Sequence, residues 1–116
     1  MIHEQKTDWL KRSADVVMEL AGVAIAPFTG MVLADLGCDV VRIDPPSAKR
    51  PKTTHQKRWI DSFCRHKSSV MVDFEISASR QAFLRLLEVA DILIDSYRPG
   101  IFERMIGMST TELCRR

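Results

Sequence analysis

Two arginines, Arg98 and Arg104, stand on either side of a Pro99-Gly100 turn in the run DILIDSYRPGIFERM, Asp91 to Met105. An arginine fork donates two parallel hydrogen bonds and so suits a phosphate or a carboxylate. Taken without their neighbours, the same two residues also read as solvated surface side chains. A second block, LAGVAIAPFTGMVLADLGCDVVRIDPP from Leu20 to Pro46, offers small residues at 21 to 26 and then a helix start. Small residues let a ligand approach the backbone, and a helix amino terminus presents free N–H groups to an anion. Only Gly22 precedes Pro27, so the dinucleotide signature GxGxxG is absent. Tight packing of a strand against a helix accounts for the same spacing equally well.

Other reactive residue types are present without a reactive setting. His3, His55 and His66 are general bases by type. His66, between Arg65 and Lys67, reads as a solvated loop histidine. Asp91 and Asp95 bracket an apolar run and suit acid–base work, though aspartates at strand ends more often form turns or caps. No nucleophile–base pair emerges, so no catalytic residue is assigned. Cys38, Cys64 and Cys114 show neither a CxxC pair nor a Cys/His cluster at zinc spacing. They read as three free thiols of a reducing compartment, and no metal site is assigned.

The elements that must hold these residues alternate in type. Val16 to Leu20 is β-branched and apolar and predicts a strand. A helix is predicted over 27–36, with Pro27 in its first turn, an apolar face of Phe28, Met31, Val32 and Leu36, and Gly37 as its stop. Asp39 to Ile43 is a second strand, halted by Asp44-Pro45-Pro46. Val70 to Phe74 is a third. Ser77 is placed to cap a helix over 78–89 whose apolar face is Phe83, Leu86, Leu87 and Ala90. Ile92 to Ile94 is a fourth strand. Ile101 to Met105 is helical, and Thr110 is placed to cap a last helix. This alternation predicts an α/β fold, a Rossmann-like parallel sheet with flanking helices. Ligands of such sheets bind outside the carboxyl ends of the strands. Here those ends are 21–26, Asp44 onward, and 95–100.

The length of 116 residues allows one small domain, read as 15–116 after a polar lead-in over 1–14. A formal net charge of +2 argues for neither a nucleic-acid nor a membrane partner. The charge is uneven, however. Arg42, Lys49, Arg50, Lys52, Lys57, Arg58, Arg65 and Lys67 face only Asp44 and Asp61 in the same stretch. That basic segment reads as a long loop, with too few aromatics for a nucleic-acid surface. The start carries no apolar signal core, and no apolar run is long enough to span a bilayer.

Three blocks in order then resemble a family. VVMELAGVAIAPFTGMVLADLGCDVVRIDPP, RHKSSVMVDFE and ADILIDSYRPGIFERMIGMSTTEL are similar to the amino-terminal part of class III CoA-transferases, closest in type to the alpha-methylacyl-CoA racemases. The resemblance implies part of a Rossmann-like large domain, in a protein whose two subunits interlock as a homodimer. It implies an acyl-CoA substrate with coenzyme A as part of it, and no permanently bound cofactor. The activity it implies is epimerisation alpha to the thioester or transfer of CoA between acids; a truncated, non-catalytic paralogue that binds CoA or a partner subunit is the alternative. Carried over by position, Ala24 and Ile25 lie near the CoA. Val72, Asp73, Phe74 and Glu75 lie along its adenine and pantetheine side. Ser96, Tyr97, Arg98 and Arg104 face its nucleotide. The family's usual arginine is Pro45 here, which implies weaker CoA binding, and its catalytic histidine and aspartates lie carboxyl-terminal to these blocks. A racemase of this type implies mitochondria or peroxisomes; otherwise the resemblance implies the cytoplasm.

Overall fold

The computed structural model describes residues 14–22, 25–46 and 62–116. The predicted lead-in, Ala24 and most of the basic loop lie outside these residues. Strand β1 (Val16–Leu20) leads to helix α1 (Ile25–Asp35), then β2 (Asp39–Asp44) and β3 (Lys67–Met71). Helix α2 (Ser77–Leu87), β4 (Ile92–Ile94), α3 (Ile101–Ile106) and α4 (Thr110–Leu113) follow. The strands form one parallel sheet in the order β3-β2-β1-β4. Val17 sits level with Val40 and Ile92, and Val40 with Lys67. The chain therefore starts at the centre of the sheet, lays two strands to one side and returns to the other. The predicted parallel α/β sheet is observed.

Strand alternation gives the sheet two unlike faces. One carries Met18, Leu20, Ile43 and Val70 and packs on α2, α3 and α4 through Phe83, Leu84, Phe102, Ile106 and Leu113. Phe74, Phe83 and Phe102 meet there edge to face, with centroids 5.2 to 6.1 Å apart. The other face lies under α1. It has a small apolar cluster of Val17, Ala34 and Val40 beside an unusual number of charges. Glu19 and Lys67 pair there at 2.6 Å, with side-chain exposures of 0% and 2%. Arg42 bonds Asp44 at 2.8 Å and also contacts the Cys64 sulfur. Asp44 accepts a further bond from Ser69 at 2.6 Å.

The charged face explains why α1 buries an unexpected side. Its buried residues are Ala26, Pro27, Gly30 and Ala34. Phe28, Val32 and Leu36, predicted as its core stripe, are 53%, 38% and 76% exposed. A Cβ on Gly30 would stand 1.8 Å from Glu19 Oε1. Only the small-residue side can approach the ion pair this closely, so clearance rather than hydropathy selects the face. Lys67 Nζ also donates to the Pro27 carbonyl at 2.9 Å, tying α1 to the first residue of β3.

Several boundaries differ from the sequence-based expectation. Strand β3 occupies Lys67–Met71 rather than Val70 to Phe74. Val72 N–H makes one last bond to the Asp44 carbonyl at 2.9 Å. Pro45 and Pro46 then offer no N–H groups, and the ladder ends. Val72 is apolar because it enters the core, at 4% exposure. Ser77 is not a cap: Ile76 holds that position without a side-chain bond, while Ser79 Oγ accepts from the Asp73 N–H. Leu84 takes the buried place expected of Leu86. The cap of α4 is Ser109, not Thr110, in a reciprocal box with Glu112.

Two outcomes test the ion pair. Alanine in a helix is ordinarily about 1 kcal/mol better than glycine, but Gly30→Ala is expected to destabilise by about 1–3 kcal/mol through overpacking against Glu19. Urea unfolding measures it, and an unchanged or raised midpoint contradicts the account. Burial raises the Glu19 pKa above the ordinary glutamate value, against the opposing hydrogen bond and charge of Lys67. A raised carboxyl contributes stability that is complete below its unfolded pKa and lost as pH climbs through the folded one. As pH rises above the ordinary glutamate range, about 4, the parent should therefore lose stability relative to Glu19→Gln. A relative gain as pH rises would reverse the sign of the shift.

Candidate functional site

At the carboxyl end of the sheet the chain builds two adjoining features. The first is the junction of the β1 and β4 ends, where the strand order changes direction. Gly22 follows β1 there and Ser96 follows β4. They abut so closely that a Cβ on Gly22 would lie 2.1 Å from Ser96 Oγ. The Tyr97 N–H donates to Asp95 Oδ1 at 2.8 Å, which turns the chain just beyond β4. The half-buried Tyr97 hydroxyl has its pKa raised by burial and by the Asp95 charge, so it stays a neutral donor. Ile25, the first residue of α1, is 76% exposed.

Pro99 and Gly100 occupy the middle of a hydrogen-bonded turn in which the Ile101 N–H donates to the Arg98 carbonyl at 3.0 Å. Gly100 has φ 81° and ψ −11°, the third position of a type II turn, where only glycine is unstrained. This turn starts α3 and places Arg104 one helical turn later.

The second feature is a cavity of about 410 Å³ at the ends of β2 and β3. Pro45 and Pro46 form one wall, and Val72, Asp73, Phe74 and Glu75 another; Arg80, Arg104 and Met105 complete it. The structure thus brings together five of the predicted site residues, namely 72 to 75 and Arg104. It places Ser96, Tyr97 and Arg98 at the β4 end and not in this cavity's lining. Arg98 and Arg104 are exposed and enter no ion pair among the described residues. A guanidinium so placed is available to an anion. Asp73 Oδ1 accepts from the Glu75 N–H at 3.0 Å, shaping the turn that exposes this segment.

The sequence reading did not single out Arg80. Its Nη1 donates to the Phe74 carbonyl at 2.6 Å, so the side chain is held against the cavity wall. An arginine on the polar side of an amphipathic helix gives no signal of this. Asp91 and Asp95 serve the backbone: Asp91 Oδ2 accepts from the Val16 N–H at 2.9 Å, and Asp95 makes the turn above. His66, at φ 60°, precedes β3 at the amino end of the sheet, away from the carboxyl ends of the strands. His3 and His55 lie outside the described residues. Among the described residues no metal-holding group of His, Cys, Asp and Glu occurs, and no helix is long and apolar enough to cross a membrane. None of the three cysteines forms a disulfide.

The family model for CoA-transferase family III matches residues 15–116. This chain belongs to CoA-transferase family III. It is 42% identical over 94 residues to the CoA-transferase/lyase DddD of Marinomonas sp., covering 81% of this chain and 10% of that protein. It is 33% identical over 89 residues to human alpha-methylacyl-CoA racemase, covering 77% and 21%. The crystal structure of Rv3272 from Mycobacterium tuberculosis superposes with a TM-score of 0.77 at 28% identity, over 91% of this chain and 29% of that one. The chain thus spans between a tenth and three tenths of the length of these family members.

The contact between Gly22 and Ser96 is testable by a double-mutant cycle. Gly22→Ala alone is expected to destabilise by about 1–3 kcal/mol. Adding Ser96→Ala removes the clashing oxygen and leaves only Ser96 Cβ at 3.4 Å, so most of the loss should return. Additive losses in urea unfolding would show that the two residues do not meet.

Proposed function

We propose that this chain supplies the coenzyme A-binding part of an acyl-CoA-processing protein. The observation that carries this reading is the cavity at the ends of β2 and β3, with Arg104 unpaired on its wall. CoA is an elongated thioester carrier with phosphates at one end. The cavity takes the nucleotide end, and the pantetheine arm and thioester run toward the β1–β4 junction at Gly22 and Ser96. Val72 to Glu75, Ser96, Tyr97, Arg98 and Arg104 line that path, together with Ala24 and Ile25 at the turn into α1. Coenzyme A acts as part of the substrate.

Racemisation alpha to the thioester and transfer of CoA between acids share this binding step. Similarity to human alpha-methylacyl-CoA racemase favours the first, and similarity to the DddD transferase/lyase the second. The whole protein acts as an interlocked homodimer on this reading, in mitochondria or peroxisomes for a racemase and in the cytoplasm for a transferase. Pro45, on the cavity wall, supports the alternative of a non-catalytic CoA-binding paralogue. A proline there contributes shape and no charge.

Calorimetric titration of CoA tests the reading. Loss of a charge-assisted hydrogen bond removes about 1.5–3 kcal/mol, so Arg104→Ala is expected to weaken CoA binding by about tenfold to a hundredfold. Pro45→Arg should strengthen it. Equal affinity of Arg104→Ala and the parent would refute the placement of CoA in this cavity.

A further inference from the structure

Two cations, not one, line the cavity, and they come from different helices. Arg80 belongs to α2 and Arg104 to α3. Their situations differ. Arg104 is exposed, whereas Arg80 is part-buried and braced by the Phe74 carbonyl. Phe74 is itself held in the aromatic core by Phe83 and Phe102. Much of the Arg80 side-chain freedom has thus been given up before any ligand arrives. A guanidinium carries five N–H donors, and the Phe74 carbonyl uses one of them. The Arg80 side chain makes no other hydrogen bond to a described residue.

We infer that Arg80 is the fixed half of an arginine pair that binds a terminal phosphomonoester in this cavity. This inference rests on the reading of the cavity as the nucleotide end of a CoA site. A phosphomonoester carries a charge close to −2 near neutral pH and three terminal oxygens. Two forks arriving from different helices match such a group. A phosphate inside a diphosphate linkage offers fewer free oxygens and must pass through its site rather than end in it. Pro45 closes the side of the cavity without a donor, which leaves Arg80 to supply the charge there.

The assignment separates CoA from dephospho-CoA, which lacks the 3′-phosphomonoester and keeps the diphosphate. Both are titrated into the parent, Arg80→Gln and Arg80→Lys by calorimetry. Glutamine keeps a donor for the Phe74 carbonyl and removes the charge. The readout is the ratio of the two dissociation constants on one protein, which is insensitive to the fraction of that protein that is folded. The parent is expected to prefer CoA by about tenfold or more, as befits a charged hydrogen-bonded contact. Arg80→Gln should bring the ratio near one, and Arg80→Lys should keep an intermediate preference. An unchanged ratio in Arg80→Gln overturns the assignment and leaves the CoA site standing. So does equal weakening of both ligands, which would place Arg80 on the diphosphate or give it a structural role only. A parent that binds neither ligand removes the CoA reading, and this inference with it.

Discussion

The buried pair of Glu19 and Lys67 sets the geometry on which the rest depends. It joins three elements at one point: the centre of the sheet, the first residue of the edge strand β3, and the first turn of α1 through Pro27. Glu19 Oε2 has no partner among the described residues, so the carboxylate relies on one lysine. Breaking such a pair from one side leaves a buried charge unmatched, at a cost of about 3–5 kcal/mol. Gly30 gives the pair its room. The height of α1 above the sheet follows, and with it the position of Ile25 at the start of that helix.

The opposite face supplies the ligand cavity by apolar means. Phe74 is both a member of the aromatic cluster and a wall of the cavity, and its carbonyl fixes Arg80. Pro45 and Pro46 end β2 and are also cavity wall. The groups that stop the ladder thus make the space beyond it. The site has little structure independent of the core, so its shape is as stable as the packing of Phe74, Phe83 and Phe102.

Much of this was legible in the residue order. Val16–Leu20, Asp39–Asp44 and Ile92–Ile94 are apolar, β-branched runs closed by turn residues, and all three are strands. Pro99-Gly100 announced its turn, because only one common turn type puts glycine after proline in this way. The predicted site segments 72–75 and Arg104 meet at one cavity. What could not be read locally were contacts between distant positions. Glu19 finds its partner 48 residues away, and nothing in its own strand indicates a buried charge. The spacing of Phe28, Val32 and Leu36 marked a helix correctly but misidentified its inner side, because the ion pair favours small residues there. Strand β3 begins three residues earlier than its apolar run, since the register against β2 decides pairing where Ser68 and Ser69 have weak preferences. Arg80 was overlooked for a similar reason: its bracing carbonyl lies in the preceding turn, and no periodic signal reports it.

The unlike faces of the sheet also give the molecule two different responses to temperature. Apolar contacts of the kind made by Met18, Leu20, Phe83 and Phe102 weaken on cooling, because apolar hydration has a large heat capacity. The desolvation penalty of a buried ion pair falls on warming, because charged groups become less well hydrated. Substitutions on the aromatic face therefore cost least on the cold side of the stability curve, and their cost levels off on warming. Those around Glu19 and Lys67 go on costing more as temperature rises, so the α1 side of the sheet gains weight relative to the aromatic side when the protein is warmed.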